Sequence, residues 1–190
     1  MRIIAGENRG LRLAEVGAGD PGAHLRPTAD RVREALFNVL TGGRFGDPIG
    51  GAVVLDLFAG TGALGLEALS RGAARCTFVD SGRVAQRLIR DNIARTRREG
   101  QAVLLPVDAR RLPANAGAAA GLVFLDPPYG KEMGQAALSQ ARAQGWIAPG
   151  ALVVWEEAAE MTAPEGFLLG ESRRYGDTVV MLMTAEGSAA

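Results

Sequence analysis

The feature that most restricts the fold is a short apolar run followed by three spaced glycines. Residues 53–56, Val-Val-Leu-Asp, end in a carboxylate. Such a run reads as a buried strand. Gly60, Gly62 and Gly65 follow in G-x-G-x-x-G spacing and open a helical segment over residues 63–71. Glycines at that place let the backbone turn sharply and approach a ligand closely. A strand–turn–helix unit of this kind predicts an α/β sheet, mostly parallel, with helices on both faces.

The rest of the chain repeats the alternation. Strands are expected at 76–80, 102–107, 122–126 and 151–155, the last following Pro149-Gly150. Helices are expected at 83–98 and 133–143. Residues 167–174 and 178–184, turned at Gly176-Asp177, predict an antiparallel C-terminal edge. Ahead of the first main strand, Arg2-Ile3-Ile4-Ala5 and Gly10-Leu11-Arg12-Leu13 read as a hairpin turned at Glu7-Asn8-Arg9. Residues 14–25 read as a glycine-containing loop. A helix follows over 28–40, with Thr28 as N-cap and Val32, Leu36, Val39 and Leu40 on its buried face. This divides the chain into a hairpin–helix extension, residues 1–45, and a main domain, residues 46–190.

A length of 190 residues suits one α/β domain with a small appendage. The single cysteine, Cys76, excludes an internal disulfide. The single histidine, His24, argues against a histidine-based metal site, and no metal is expected. The stretch 116–125 is too short to span a membrane. Arg2, Glu7, Arg9 and Arg12 leave no apolar signal core at the start. A cytoplasmic enzyme is the simplest class. Net charge is zero but unevenly placed: residues 71–111 carry ten arginines against four acidic residues, and residues 112–190 carry four basic against nine acidic residues. That asymmetry permits a nucleic-acid face without demanding one.

Four consecutive strands are expected to end in aspartate: Asp56, Asp80, Asp108 and Asp126. Asp80 or Asp108 can equally be a helix or turn cap. The last opens Asp126-Pro127-Pro128-Tyr129. Proline fixes φ and holds its carbonyl in one direction. A carboxylate and a fixed carbonyl can share one NH2 group, and a tyrosine ring offers a stacking face. These parts suit an exocyclic amine on a nucleobase; a proline turn closing a strand is the plain alternative.

The glycine spacing, with Asp80 about 20 residues further on, also matches a dinucleotide-binding fingerprint. Asp56 argues against it. A pyrophosphate beside that carboxylate would suffer like-charge repulsion, whereas a cationic ligand would gain. S-adenosylmethionine carries an ammonium and a sulfonium and no phosphate. In that reading Asp80 accepts from the ribose hydroxyls and Asp108 from the adenine amine.

Residues 56–72, from Asp56-Leu57-Phe58-Ala59-Gly60-Thr61-Gly62 onward, resemble the cofactor motif of the RsmD-type 16S ribosomal RNA guanine-N2 methyltransferases. Asp126-Pro127-Pro128-Tyr129 resembles that family's catalytic motif. Residues 2–6 and 26–37 resemble its N-terminal extension. The resemblance implies a Rossmann-like class I methyltransferase fold with S-adenosyl-L-methionine as cofactor. It implies Asp126, Pro127, Pro128 and Tyr129 as catalytic residues. Asp56, Phe58, Ala59, Gly60, Thr61, Gly62, Asp80 and Asp108 are then the cofactor contacts. The partner is 16S ribosomal RNA, within an assembling small subunit or free of it. Arg2, Arg9, Arg12, Arg26, Arg31 and Arg33 are candidates for RNA phosphates, each with a solvated or ion-paired alternative. Arg83, Arg87, Arg90 and Arg97 read as an exposed helix face. Three rivals remain: an adenine-N6 methyltransferase on DNA or RNA, a nicotinamide-dependent oxidoreductase, and a non-catalytic nucleotide-binding module.

Overall fold

A computed structural model describes residues 1–16, 30–128 and 133–187. Thr28, His24, Arg26 and Tyr129 lie outside them. Among the described residues, seven strands form one sheet: β1 (Val53–Leu57), β2 (Arg75–Val79), β3 (Ala102–Leu105), β4 (Ala120–Leu125), β5 (Ile147–Glu157), β6 (Phe167–Tyr175) and β7 (Thr178–Ala185). The helices are α1 (Asp30–Thr41), α2 (Ala63–Ser70), α3 (Arg83–Thr96) and α4 (Met133–Ala143). Strand order is β3-β2-β1-β4-β5-β7-β6. β1 to β5 pair in parallel, and β7 and β6 close the edge antiparallel.

Alternate strand residues face opposite sides of a sheet. Val54, Phe78, Phe124 and Val154 therefore pack on one face with Leu36, Phe37 and Leu40 of α1, Leu66 and Leu69 of α2 and Ile89 of α3. Leu55, Val79, Leu125 and Trp155 pack on the other with Ala137, Leu138 and Ala141 of α4. α2, Ala-Leu-Gly-Leu-Glu-Ala-Leu-Ser, is buried along its whole length. It lies between the sheet and the N-terminal segment, so no face of it needs to be polar.

The N-terminal hairpin forms with a single bridge, Arg2 opposite Arg12. Ile3 and Leu13 enter the same core as Val54 and Leu66. The two expected strands are cut short because their amides bond sideways. Glu67 of α2, fully buried, accepts from Ile4 N–H at 2.7 Å and Ala5 N–H at 3.0 Å. Ser70 adds three bonds: its Oγ accepts from Asn8 N–H at 2.9 Å and donates to the Ala5 carbonyl at 2.6 Å, and its carbonyl accepts from Glu7 N–H at 2.8 Å. Gly6 is required there: its φ is +80° and a Cβ would lie 1.8 Å from the Ser70 carbonyl oxygen. Residues 1–45 and 46–190 thus share one hydrophobic core.

Two expectations are corrected by burial. On α1 the fully buried positions are Arg33, Leu36, Phe37 and Leu40, while Val32 and Val39 are half-buried. Arg33 goes inward because it meets the Asp30 carboxylate at 3.0 Å, the Arg2 carbonyl and Glu67 at 3.9 Å. Phe37 goes inward because it packs on Phe124 at 5.7 Å and under the Arg71 guanidinium at 4.7 Å. β5 begins at Ile147, ahead of Pro149-Gly150. Ala120 pairs with Ile147 and Leu122 with Leu152, so a bulge absorbs the proline and glycine.

Glu67 also accepts from Arg71 Nε at 2.7 Å. Removing the Glu67 carboxylate leaves the Ile4 and Ala5 amides without an acceptor and takes the anionic partner from Arg71 and from the flank of the buried Arg33. Glu67→Ala should therefore lower stability by about 3–5 kcal/mol, read as a lower urea midpoint at unchanged m value. A loss under about 1 kcal/mol would show that the hairpin is held by its apolar contacts alone.

Candidate active site

From β1 the chain moves outward through β2 and β3, then returns to place β4 on the other side of β1. The order of winding reverses between β1 and β4, and α/β sheets bind ligands in the crevice outside the carboxyl ends at such a point. Leu57 of β1 lies opposite Leu125 of β4, and Asp126 N–H reaches the Leu57 carbonyl at 3.4 Å. Asp126 and the start of the glycine loop therefore leave the sheet side by side, at the edge where such folds bind ligands. Asp126 is partly exposed, Pro127 is buried and Pro128 is exposed.

The loop is shaped by left-handed backbone at Phe58 (φ 58°), Gly60 (φ 58°) and Gly62 (φ 77°). Phe58 is the unusual member, since a bulky side chain rarely adopts this region. Every glycine amide of the fingerprint is already engaged. Gly60 N–H donates to Asp80 Oδ2 at 2.9 Å, Gly62 N–H to the Ala59 carbonyl at 2.7 Å and Gly65 N–H to Asp56 Oδ2 at 3.0 Å. Ala59 N–H donates to the Val79 carbonyl at 3.1 Å, which joins the loop to β2. Thr61 is buried, and its carbonyl accepts from Asn92 Nδ2 at 2.9 Å.

Two carboxylates do this work. Asp80 bridges the two loops, its other oxygen accepting from Gly82 N–H at 2.8 Å ahead of α3. It joins β1's loop to the turn that leads into α3, whose N-cap is Gly82 and carries no side-chain cap bond. Burial raises its pKa against those two amide bonds. Asp56 is 2% exposed, and its pKa is pushed up to about 8. Burial is the main cause; the Gly65 amide opposes it, and the Asp80 and Glu156 carboxylates add to it. Glu156, buried near the end of β5, was not among the expected site residues. The sequence signal was there: Glu156-Glu157 closes an otherwise apolar strand. The loop therefore carries acceptors in excess and favours a cationic ligand over a phosphate.

Asp108 sits differently. It caps the turn Ala109–Arg111, accepting from Arg110 N–H at 2.9 Å and from Arg110 Nη2 at 2.6 Å. Arg110 holds its pKa below the ordinary value. A role toward adenine would compete with that pair. Among the candidate RNA contacts, Arg2, Arg9, Arg12 and Arg31 are exposed. Arg33 is corrected: it is fully buried beside Glu67 and out of reach of a phosphate. Arg2 and Arg12 stand directly opposite in the hairpin. Like charges in that arrangement repel, and an anion relieves the repulsion. Arg83, Arg87, Arg90 and Arg97 are exposed as expected, and Cys76 is buried.

The sheet order with its antiparallel edge, and a glycine loop held by carboxylates at the switch point, define a class I methyltransferase. The chain belongs to the family described as Conserved hypothetical protein 95, whose model matches residues 1–184, and this is the RsmD type. It is 38% identical to ribosomal RNA small subunit methyltransferase D of Escherichia coli strain K12, covering 98% of this chain and 90% of that protein. The Haemophilus influenzae protein of the same name is 33% identical, over 93% of this chain and 89% of its own length. The solved structure of the Escherichia coli yhhF protein superposes at a TM-score of 0.82, with 36% identity and 99% of each chain covered. An RNA methyltransferase of Salinibacter ruber, solved with S-adenosyl-L-homocysteine, shares the fold at a TM-score of 0.65 and 16% identity, over 87% of this chain and 97% of that one.

The Asp56 pKa has a consequence for stability. A carboxyl whose pKa is raised on folding stabilises the protein fully below its unfolded value, near 4, and loses that contribution as pH rises through about 8. In Asp56→Asn the amide oxygen can still accept from Gly65, and the titration is gone. The difference in unfolding free energy, wild type minus variant, should fall between pH 5 and pH 8 by at most about 1.4 kcal/mol per pH unit. Chemical denaturation across that range reads the slope; parallel pH profiles would mean that Asp56 titrates normally.

Proposed function

We propose that this enzyme methylates the exocyclic N2 amine of a guanine in 16S ribosomal RNA, using S-adenosylmethionine. The observation that carries the reading is the adjacency of the carboxyl ends of β1 and β4, which sets the carboxylate-held glycine loop beside Asp126-Pro127-Pro128 at the switch point of the sheet. The names of the 38% and 33% identical relatives supply the RNA class. A ribosomal RNA substrate fits a cytoplasmic location.

The residues present fit this cofactor. Asp56 is a buried carboxyl with a raised pKa beside the loop, a state that an adjacent ammonium would relieve. The amides of Gly60, Gly62 and Gly65 are spent on protein acceptors, which counts against a nicotinamide dinucleotide. When bound, S-adenosylmethionine supplies a methyl group made electrophilic by a sulfonium. Asp80 would orient the ribose, with Phe58, Ala59 and Thr61 forming the wall of the loop. A guanine must leave its stack to enter such a site.

At Asp126 the carboxylate and the Pro127 carbonyl would accept the two hydrogens of the N2 amine. That arrangement draws the nitrogen lone pair out of conjugation and aims it at the methyl carbon. With the methyl group supplied by the bound cofactor, the thioether would leave with the sulfonium electron pair, and Asp126 or solvent would take the amine proton. Alignment on one axis supplies most of the rate gain. Tyr129 would stack on the base, a contact worth roughly 1–3 kcal/mol. Arg2, Arg9, Arg12 and Arg31 would hold phosphates of the surrounding RNA.

Two measurements test the reading. Calorimetry should give binding of S-adenosylmethionine and none of NAD; the reverse would overturn the cofactor assignment. Asp126→Ala should keep cofactor affinity within about twofold while methyl transfer to 16S RNA falls by 10²-fold or more. Retained turnover in that variant would remove Asp126 from the mechanism.

The arginine pair makes a separate prediction. Replacing Arg2 and Arg12 with glutamine should lower the salt slope of RNA affinity by about 1.4, at roughly 0.7 per phosphate contact. An unchanged slope would assign both arginines to the solvent.

A further inference from the structure

Asn92 sits on the buried face of α3 and is fully inaccessible. A neutral amide in that place must find partners for its donors and its acceptor. It finds them on two segments remote in sequence. Its Oδ1 accepts from Ala14 N–H at 2.6 Å, and its Nδ2 donates to the Ala14 carbonyl at 3.2 Å. The same Nδ2 donates to the Thr61 carbonyl at 2.9 Å. Ala14 directly follows the hairpin strand that carries Arg12, and Thr61 lies between the two left-handed glycines of the cofactor loop. A second contact joins the same two segments: Thr61 Oγ1 reaches Met1 Sδ at 3.5 Å.

We propose that Asn92 is a positioning residue that makes the docked N-terminal segment part of the cofactor site. It fixes the Thr61 carbonyl, and with it the peptide plane that leads into Gly62 and the first turn of α2. Ala14 supplies the bonds that fix Asn92 in turn. The carboxylates Asp56 and Asp80 hold the loop from the sheet side; Asn92 holds it from the side of the extension. The idea rests on S-adenosylmethionine being the cofactor.

The contrast with the far end of the hairpin makes the test. Asn8 donates to the Thr96 carbonyl at 3.1 Å and accepts from Arg98 Nε at 3.0 Å, so it ties the same segment to the end of α3 without touching the loop. Asn92→Ala, Asn92→Asp and Asn8→Ala are compared. Asn92→Asp keeps an acceptor for Ala14 N–H, but in its ionised form it has no donor for the Thr61 carbonyl, so its affinity is read as pH rises and the weakening is expected at the alkaline end, where the buried carboxyl ionises. Cofactor affinity is measured by calorimetry, with KM and kcat from initial rates on 16S RNA. Both Asn92 variants should weaken cofactor binding about tenfold, Asn92→Asp at that alkaline end, the loss expected for one or two buried hydrogen bonds. KM for the cofactor should rise by the same factor, and kcat at saturation should stay within about twofold. Asn8→Ala should bind the cofactor as wild type does even where its unfolding midpoint is lower. If Asn92→Ala fails to fold, Asn92→Asp carries the test. Wild-type affinity in folded Asn92→Ala, or in Asn92→Asp at every pH, or equal weakening in Asn8→Ala, would make Asn92 a packing residue and overturn the proposal. Failure of the wild type to bind S-adenosylmethionine would instead remove the cofactor reading on which it rests.

Discussion

The shape of the glycine loop depends on backbone amides being answered by buried carboxylates. Asp80 accepts from Gly60 and Gly82, and Asp56 accepts from Gly65. Those bonds tie the end of β1 to the end of β2 and to α2. The arrangement inverts the usual use of a glycine-rich turn, in which free amides wait for phosphate. Here the amides are already satisfied, and the buried carboxyl of Asp56, its pKa pushed up to about 8, is the group that an approaching cation would ionise.

The same device recurs beneath the extension. Glu67 stands in for a missing sheet partner by accepting from Ile4 and Ala5, and Arg33 and Arg71 flank it. Arg98 reaches Glu7 at 2.6 Å and Asn8 at 3.0 Å from beyond α3. Buried charge of this kind adds little net stability but fixes geometry, because a misdocked hairpin would strand it. The extension is thereby held to one register on α2 and α3, which keeps the exposed Arg2 and Arg12 at a defined place.

Much of this was legible in the sequence. The strand–helix alternation, the hairpin edge and the two motifs were visible because periodicity and turn chemistry are local. Asp126 next to the glycine loop was legible through the switch-point rule, which needs only the order of elements. What stayed hidden depended on partners remote in sequence. Arg33 read as a surface residue because nothing near it announces Glu67, and Asn92 did not stand out because nothing near it announces Ala14. Val32 read as core because apolar character alone cannot say which of two neighbouring helix positions points inward. For Asp108, the strand-ending pattern could not show the hold that Arg110, two residues on, has on its carboxylate.

Phe58 carries one more consequence. A phenylalanine at φ 58° holds its backbone in a costly region, by about 1–3 kcal/mol, and persists only where its surroundings enforce it. Glycine would relieve that strain at once. What holds it there is apolar packing: the half-buried ring lies against the core cluster that contains Leu57 and Leu125, so the glycine that relaxed the backbone would also leave that packing unfilled.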